Sequence, residues 1–164
     1  LRIVELYENF PSISSRWKTV NFAIIKSMFS ITAQVRDKMI GHARREVPNE
    51  ACGLFAGSKG TDTVETFFPM HNAAESHLIY QLDPKEFIEV EKTADRLGIQ
   101  ILGVMHSHTA SKAYPSETDV RDANQFDPFG LWYYIIVSLK NEEPVIRAFR
   151  IHETSINEVE IEIT

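Results

Sequence analysis

The sequence predicts an α/β fold in which helices flank a mixed, mostly antiparallel sheet. Three observations carry this. Segments with apolar residues at helical spacing, 33–45 and 84–97, alternate with short apolar runs that read as strands. Residues 99–105 form a continuous apolar run, the mark of a central strand buried on both faces. The strands of the 50s and 60s, and those of the 130s and 140s, lie close enough in sequence to form hairpins, which makes the sheet mixed.

Residues 1–27 show no sustained period and read as an N-terminal extension, with Met28 near the start of one domain running to residue 164. Residues 29–32 read as a short strand, and Thr32 as the N-cap of a helix through residue 45. Val35, Met39, Ile40 and Ala43 supply its periodic apolar positions. Pro48 and Asn49 end it. Residues 50–56 read as a buried strand and 63–70 as its hairpin partner across the turn 57–60. Residues 71–76 are a polar loop and 78–82 are strand-like.

Asp83 is a good N-cap, with Pro84 in the first helical position and Glu86 in the third. The helix Pro84–Leu97 should bury Phe87, Ile88, Val90, Ala94 and Leu97, and Gly98 should end it. After the 99–105 strand, 106–115 reads as a polar loop and 116–124 as a short helix. Residues 132–139 and 145–151 read as strands, and 158–163 alternates strictly, as an edge strand does.

The chain has 17 Lys plus Arg against 23 Asp plus Glu, a net charge of −6, which argues against a nucleic-acid binder that relies on phosphate neutralisation. No apolar run approaches the roughly 20 residues that span a bilayer. The apolar stretch 22–25 is too short for the core of a signal peptide. A single cysteine, Cys52, excludes an intramolecular disulfide and a multi-cysteine zinc cluster. These features set a cytoplasmic expectation, with no nucleic-acid or membrane partner.

Chemistry concentrates between residues 104 and 119. His106 and His108 lie two apart at the end of an apolar strand, so both imidazoles project from one face. Ser116 and Asp119 are three apart at a helix start and share a face. The intervening loop is long enough to return Asp119 over the histidines. Two His and one carboxylate leave a fourth position for water, as in a hydrolytic zinc site. Such a site also needs a general base that is not a ligand. Glu50, at the start of a buried strand, is the candidate, because a carboxylate there is costly without a partner.

Taken singly, each residue has a plainer reading. His106 and His108 could be an ordinary pair, Ser116 an N-cap within a capping box, and Glu50 a strand-edge carboxylate in water. Cys52 reads as a small buried hydrophobe. His71 and His77 read as loop histidines, His42 as structural on the polar side of its helix, and His152 as structural at a strand end.

The combination of Glu50, His106-Ser107-His108, seven further residues and Ser116-x-x-Asp119 resembles the JAMM, or MPN-plus, metallopeptidase motif, a distant Glu followed by H-[ST]-H-x7-S-x2-D. The resemblance runs from about Met28 to about Ile151. Residues 50–57, 114–119, 135–139 and 147–151 resemble the compact bacterial and archaeal members, above all those that release cysteine from the C-terminus of a sulfur-carrier protein. Thr109 departs from the pattern, since many relatives carry Pro after the second histidine.

The resemblance implies cytidine-deaminase-like α/β/α layers. It implies that His106, His108 and Asp119 bind Zn2+, that Glu50 is general acid/base and that Ser116 helps stabilise the oxyanion. It implies a zinc metallopeptidase whose substrate is a ubiquitin-like or sulfur-carrier protein with a Gly-Gly tail, laid along a sheet edge such as 63–70. A homodimer is left open. The alternatives are a non-catalytic MPN-type scaffold, a metal-free binding protein and two other zinc hydrolases. A nucleobase deaminase needs a Pro-Cys-x-x-Cys pair and an H-E-x-x-H protease needs that string; this chain has neither.

Overall fold

The computed structural model describes residues 28–164, so the expected extension at 1–27 lies outside the described residues. The elements in chain order are β1 (Phe29–Ile31), α1 (Ala33–Glu46), β2 (Cys52–Ser58), β3 (Thr63–Val64), β4 (Thr66–Met70), α2 (Pro84–Leu97), β5 (Ile99–His108), α3 (Glu117–Phe126), β6 (Tyr133–Ser138), β7 (Val145–His152), β8 (Ser155–Val159) and β9 (Ile161–Ile163).

Six strands form the main sheet in the order β4-β2-β5-β6-β7-β8. Only β5 and β6 run parallel; α3 lies between them in sequence, as a parallel crossover requires. The other four pairings are antiparallel. A second sheet, β3-β1-β9, is parallel throughout.

Strand alternation divides the core in two. One layer joins Val35, Met39 and Ala43 of α1 to Phe29, Ile31, Phe55, Met105, Ile135 and Val137. The other joins α2 and α3, through Phe87, Val90, Val120 and Ala123, to Leu54, Val104, Tyr134, Ile136 and Phe149. Successive strand residues face opposite sides, so β2, β5, β6 and β7 each feed both layers. The expected α/β layers around a mixed, mostly antiparallel sheet are therefore present. No helix among the described residues is long and apolar enough to cross a membrane.

The helices start where capping chemistry dictates. Thr32 Oγ1 accepts from Val35 N, and the Asp83 carboxylate accepts from the N–H groups of Lys85 and Glu86. Gly98 closes α2 in the left-handed region at φ 70°. Two residues expected on the inner face of α2 are exposed, Ile88 to 49% and Leu97 to 59%. Ile88 lies about 100° round the helix from Phe87, and Leu97 falls in the last turn.

Several strand boundaries differ from the sequence reading. The 50–56 strand is shifted to Cys52–Ser58, leaving Glu50 just before it. The 63–70 strand divides at Glu65: β3 pairs with β1 and β4 with β2. The 158–163 strand divides at Glu160, with β8 on β7 and β9 on β1. Residues 78–82 form no strand, only a single bridge from Leu82 to Asn72. The loop expected from residue 106 starts after His108, because β6 pairs with β5 out to His108 and Ser138. The helix expected at 116–124 runs from Glu117 to Phe126, with Ser116 as its cap.

Gly103 sets the spacing between the central strands. A Cβ there would lie 1.9 Å from the carbonyl oxygen of Tyr133 and 2.8 Å from the Phe55 ring. The first of these is backbone and cannot swing aside. Gly103→Ala should therefore cost about 3 kcal/mol of stability, the upper end for overpacking. Urea unfolding measures this; a loss under about 0.5 kcal/mol, the level of a neutral surface change, would show that the β5–β6 pair can spread.

Candidate metal centre

The last turn of β5's alternation puts His106 and His108 on the α2–α3 face of the sheet, beside Val104. Both are buried, because β2 and β6 flank them: Cys52 and Ile136 sit opposite His106, and Ser138 opposite His108. The loop after His108 is tied back at three points. Leu139 N donates to His108 O (2.9 Å), Ser138 Oγ to Ser111 O (2.6 Å) and Arg147 Nη1 to Ala113 O (3.1 Å).

That loop delivers α3. Ser116 is its N-cap and Asp119 its third residue, joined in a capping box: Asp119 N donates to Ser116 Oγ (3.2 Å) and Ser116 N to Asp119 Oδ2 (2.7 Å). The helix N-terminus also favours a carboxylate there. The same carboxylate faces the histidines. Its Oδ1 is 3.4 Å from His106 Nε2 and its Oδ2 is 3.4 Å from His108 Nε2. The two Nε2 atoms are 3.1 Å apart.

These distances fit a shared cation. Tetrahedral bonds of about 2.0–2.1 Å place ligand atoms about 3.3 Å from one another. Ring orientation agrees. His108 Nδ1 lies 2.8 Å from the carbonyl oxygen of Lys112 and must donate to it, so in the neutral ring the lone pair is on Nε2, where a metal ion could take it. His106 Nδ1 is buried without a hydrogen-bond partner, and its ring is instead fixed by stacking on Tyr80, centroids 4.4 Å apart and 17° from parallel. His106, His108 and Asp119 are thus a set of three buried residues able to hold a metal ion.

Electrostatics follow the same logic. Burial pushes the Asp119 carboxyl up, but His106 and the hydrogen bonds from both histidines and Ser116 N outweigh it and hold the group well below the usual carboxylate range. Burial pulls the His108 imidazole down, and its bonds to Asp119 and Lys112 O reverse that, so it is raised. Burial raises Glu50, with His106 and His108 opposing.

Glu50 is only 4% exposed, so the reading of a solvated edge carboxylate is set aside. It stands next to the histidines but outside the three-residue set. Its place is fixed by backbone bonds on both sides. Ala51 N donates to Ser107 Oγ (2.8 Å) and Ser107 N to Ala51 O (2.9 Å). Asn72 Nδ2 donates to Glu50 O (2.9 Å).

Cys52 is fully buried, with its thiol pushed up to about 12 chiefly by that burial, in keeping with a packed, unreactive side chain. His71 and His77 are exposed loop residues. His42 is not on a polar face: it is buried, with Nε2 3.0 Å from Cys52 O. Ser107, Tyr80 and Asn72 were not singled out from the sequence. Ser107 had a signal, its position inside the histidine pair; Asn72 lies in a polar loop and Tyr80 in a segment that reads as a strand, and neither carries a local mark of this role.

The family model described as prokaryotic homologs of the JAB domain matches residues 32–152. The chain belongs to this family. The matched span holds all three metal-set residues, Glu50 and Ser116. Among relatives of the JAB chain, the CysO-cysteine peptidase of Mycobacterium tuberculosis is 36% identical over 134 residues, 81% of this chain and 89% of the relative. The desampylase of Haloferax volcanii is 37% identical over 98 residues, 57% of this chain and 70% of the relative. The solution structure of a Desulfitobacterium hafniense protein superposes with a TM-score of 0.76 at 36% identity, covering 84% of this chain and 93% of that one. The JAMM-type family and the peptidase class expected from the motif agree with these matches.

Proposed function

We propose that this JAB-domain chain is a zinc-dependent peptidase that cleaves the amide after the C-terminal Gly of a small ubiquitin-like or sulfur-carrier protein, releasing cysteine or a conjugated amine. The observation that carries the reading is the convergence of His106 Nε2, His108 Nε2 and the Asp119 carboxylate, with buried Glu50 beside them but outside the set.

His106, His108 and Asp119 would hold the ion. Zinc, when bound, supplies a Lewis acid that polarises a carbonyl and acidifies water. Glu50 would accept the proton of the attacking water and hand it to the leaving amine; its raised pKa brings it nearer to neutral pH, where a general acid/base works best. Ser116 Oγ accepts from Asp119 N, which leaves its hydroxyl hydrogen free to donate to developing negative charge. The extended tail would lie along β4, the outer strand on the β2 side of the main sheet, whose Met70 end pairs with Cys52 next to His106.

The substrate class rests on the relatives' names, one a CysO-cysteine peptidase and the other a desampylase. The first aligns over more of both chains, which favours a carrier–cysteine adduct over a lysine isopeptide. The cytoplasmic placement rests on the single, free cysteine. The test offers zinc-loaded protein a carrier–cysteine adduct and a lysine isopeptide conjugate, each with and without chelator. Expected is cysteine release that chelation stops and zinc restores. Cleavage of the isopeptide alone would overturn the choice of adduct; cleavage of neither would overturn the peptidase reading and favour the scaffold alternative.

A further inference from the structure

Asn72 does nothing in the chemistry above, yet its side chain is fully committed. It is 3% exposed and sits just after β4. Its Oδ1 accepts from Ala74 N and Gln81 N, both at 3.0 Å. Its Nδ2 faces three carbonyl oxygens: Glu50 at 2.9 Å, Ile79 at 3.0 Å and Ser76 at 3.3 Å. Two hydrogens serve two short bonds and one longer, shared one. A flipped amide would set Oδ1 against three carbonyl oxygens, so the orientation is determined by the network.

The residues so joined have different jobs. Glu50 is the proposed general base. Residues 73–81 are the loop that carries Tyr80, the ring stacked on His106. The backbone reinforces the closure, with Glu50 N donating to Ser76 O (2.8 Å), Ala73 N to Gln81 O (2.8 Å) and Glu75 N to Asn72 O (2.9 Å). His106 Nδ1 has no hydrogen-bond partner among the described residues, and the stack on Tyr80 orients the ring by packing alone; Nε2 is left to face His108 and Asp119. One amide thereby sets both the proton-transfer group and the orientation of a metal ligand.

We propose that Asn72 is a positioning residue of the metal centre, holding Glu50 at one end and the Tyr80–His106 stack at the other. This rests on the metallopeptidase reading. Outer groups that orient metal ligands typically change affinity or activity by about 10–100-fold when removed. Asn72→Asp is the informative variant. It keeps the two acceptor bonds to Ala74 and Gln81 and loses the three donations. Asn72→Ala loses all five.

In the full chain, Asn72→Asp should weaken zinc binding at least about tenfold, read by competition with a chromophoric chelator. It should lower kcat on the carrier–cysteine adduct by a similar factor. Tyr80→Ala should weaken zinc comparably, and the double variant Asn72→Asp/Tyr80→Ala should bind zinc no worse than the weaker single, because both act through one contact. Hydrogen exchange at the Ala74 and Gln81 amides, protected in the Asp variant, shows that the loop remains folded. A zinc affinity and kcat equal to wild type, or a lower melting temperature with both unchanged, would mean that Asn72 only braces the loop. Additive zinc losses in the double variant would break the link to Tyr80. A wild-type chain that binds zinc but cleaves neither conjugate sinks the peptidase reading while the zinc measurements still decide the role of Asn72. A wild-type chain that takes up no zinc overturns both.

Discussion

Glu50→Gln is expected to lower kcat by about 10²–10⁴-fold, the range for loss of a general acid/base, with zinc content unchanged. Glutamine keeps the shape and the backbone bonds to Asn72 and Ser76, and it removes only the group that accepts a proton. The variant should also be more stable than wild type in metal-free form at neutral pH. The sign follows from burial. Glu50 is raised above its ordinary value, so its contribution to stability is fully present below the unfolded pKa and is lost as pH rises through the folded one. At neutral pH the ionised carboxyl is therefore a cost, which Gln removes. Wild type and variant should converge in melting temperature toward acid pH. A buried acidic group that lowers stability while serving chemistry is the ordinary trade-off of an active site. If kcat stays within about tenfold of wild type, well short of the general acid/base range, another group moves the proton and Glu50 is structural.

The convergence of His106, His108 and Asp119 was legible because strand and helix geometry each act over a few residues. An i, i+2 pair on a strand shares a face whatever lies around it, and Ser116-x-x-Asp119 describes a helix start in any fold. Glu50 is legible as a carboxylate at the start of a buried strand, where it needs a partner, but only the family motif ties it to the histidines. The features that escaped are those decided by distant pairing. Both misread strands break at a glutamate, Glu65 and Glu160, where the chain crosses between the two sheets, into the main one at Glu65 and out of it at Glu160. The partner that draws them is β1, more than 30 residues from the first break and about 130 from the second. The 78–82 segment alternates like a strand, but the Asn72 amide claims the backbone of Ser76, Ile79 and Gln81 and closes it into a loop. Tyr80 reaches His106 only through that closure, so nothing local announced it.

His108→Ala should reduce zinc to background and abolish hydrolysis, a larger effect than the roughly 10–100-fold that outer groups command. It removes the Nε2 that faces both His106 and Asp119, and the Nδ1 bond to Lys112 O that holds the loop. Loss of activity alone would not separate ligation from loop order, so Asp119→Asn is the sharper companion. Its amide oxygen can still accept from Ser116 N and preserve the helix cap, while the negative charge facing two imidazoles is gone. If Asp119 serves only the capping box, the Asn variant keeps its zinc and its activity. If it is a ligand, the Asn variant folds with α3 intact by circular dichroism yet binds zinc poorly. His71→Ala, at an exposed loop histidine, controls for nonspecific loss of imidazole and should retain about one zinc per chain, as a single three-ligand site allows. Zinc retained by both His108→Ala and Asp119→Asn would mean that the ion, if any, sits elsewhere, and the convergence of these three side chains would then need an explanation other than metal binding.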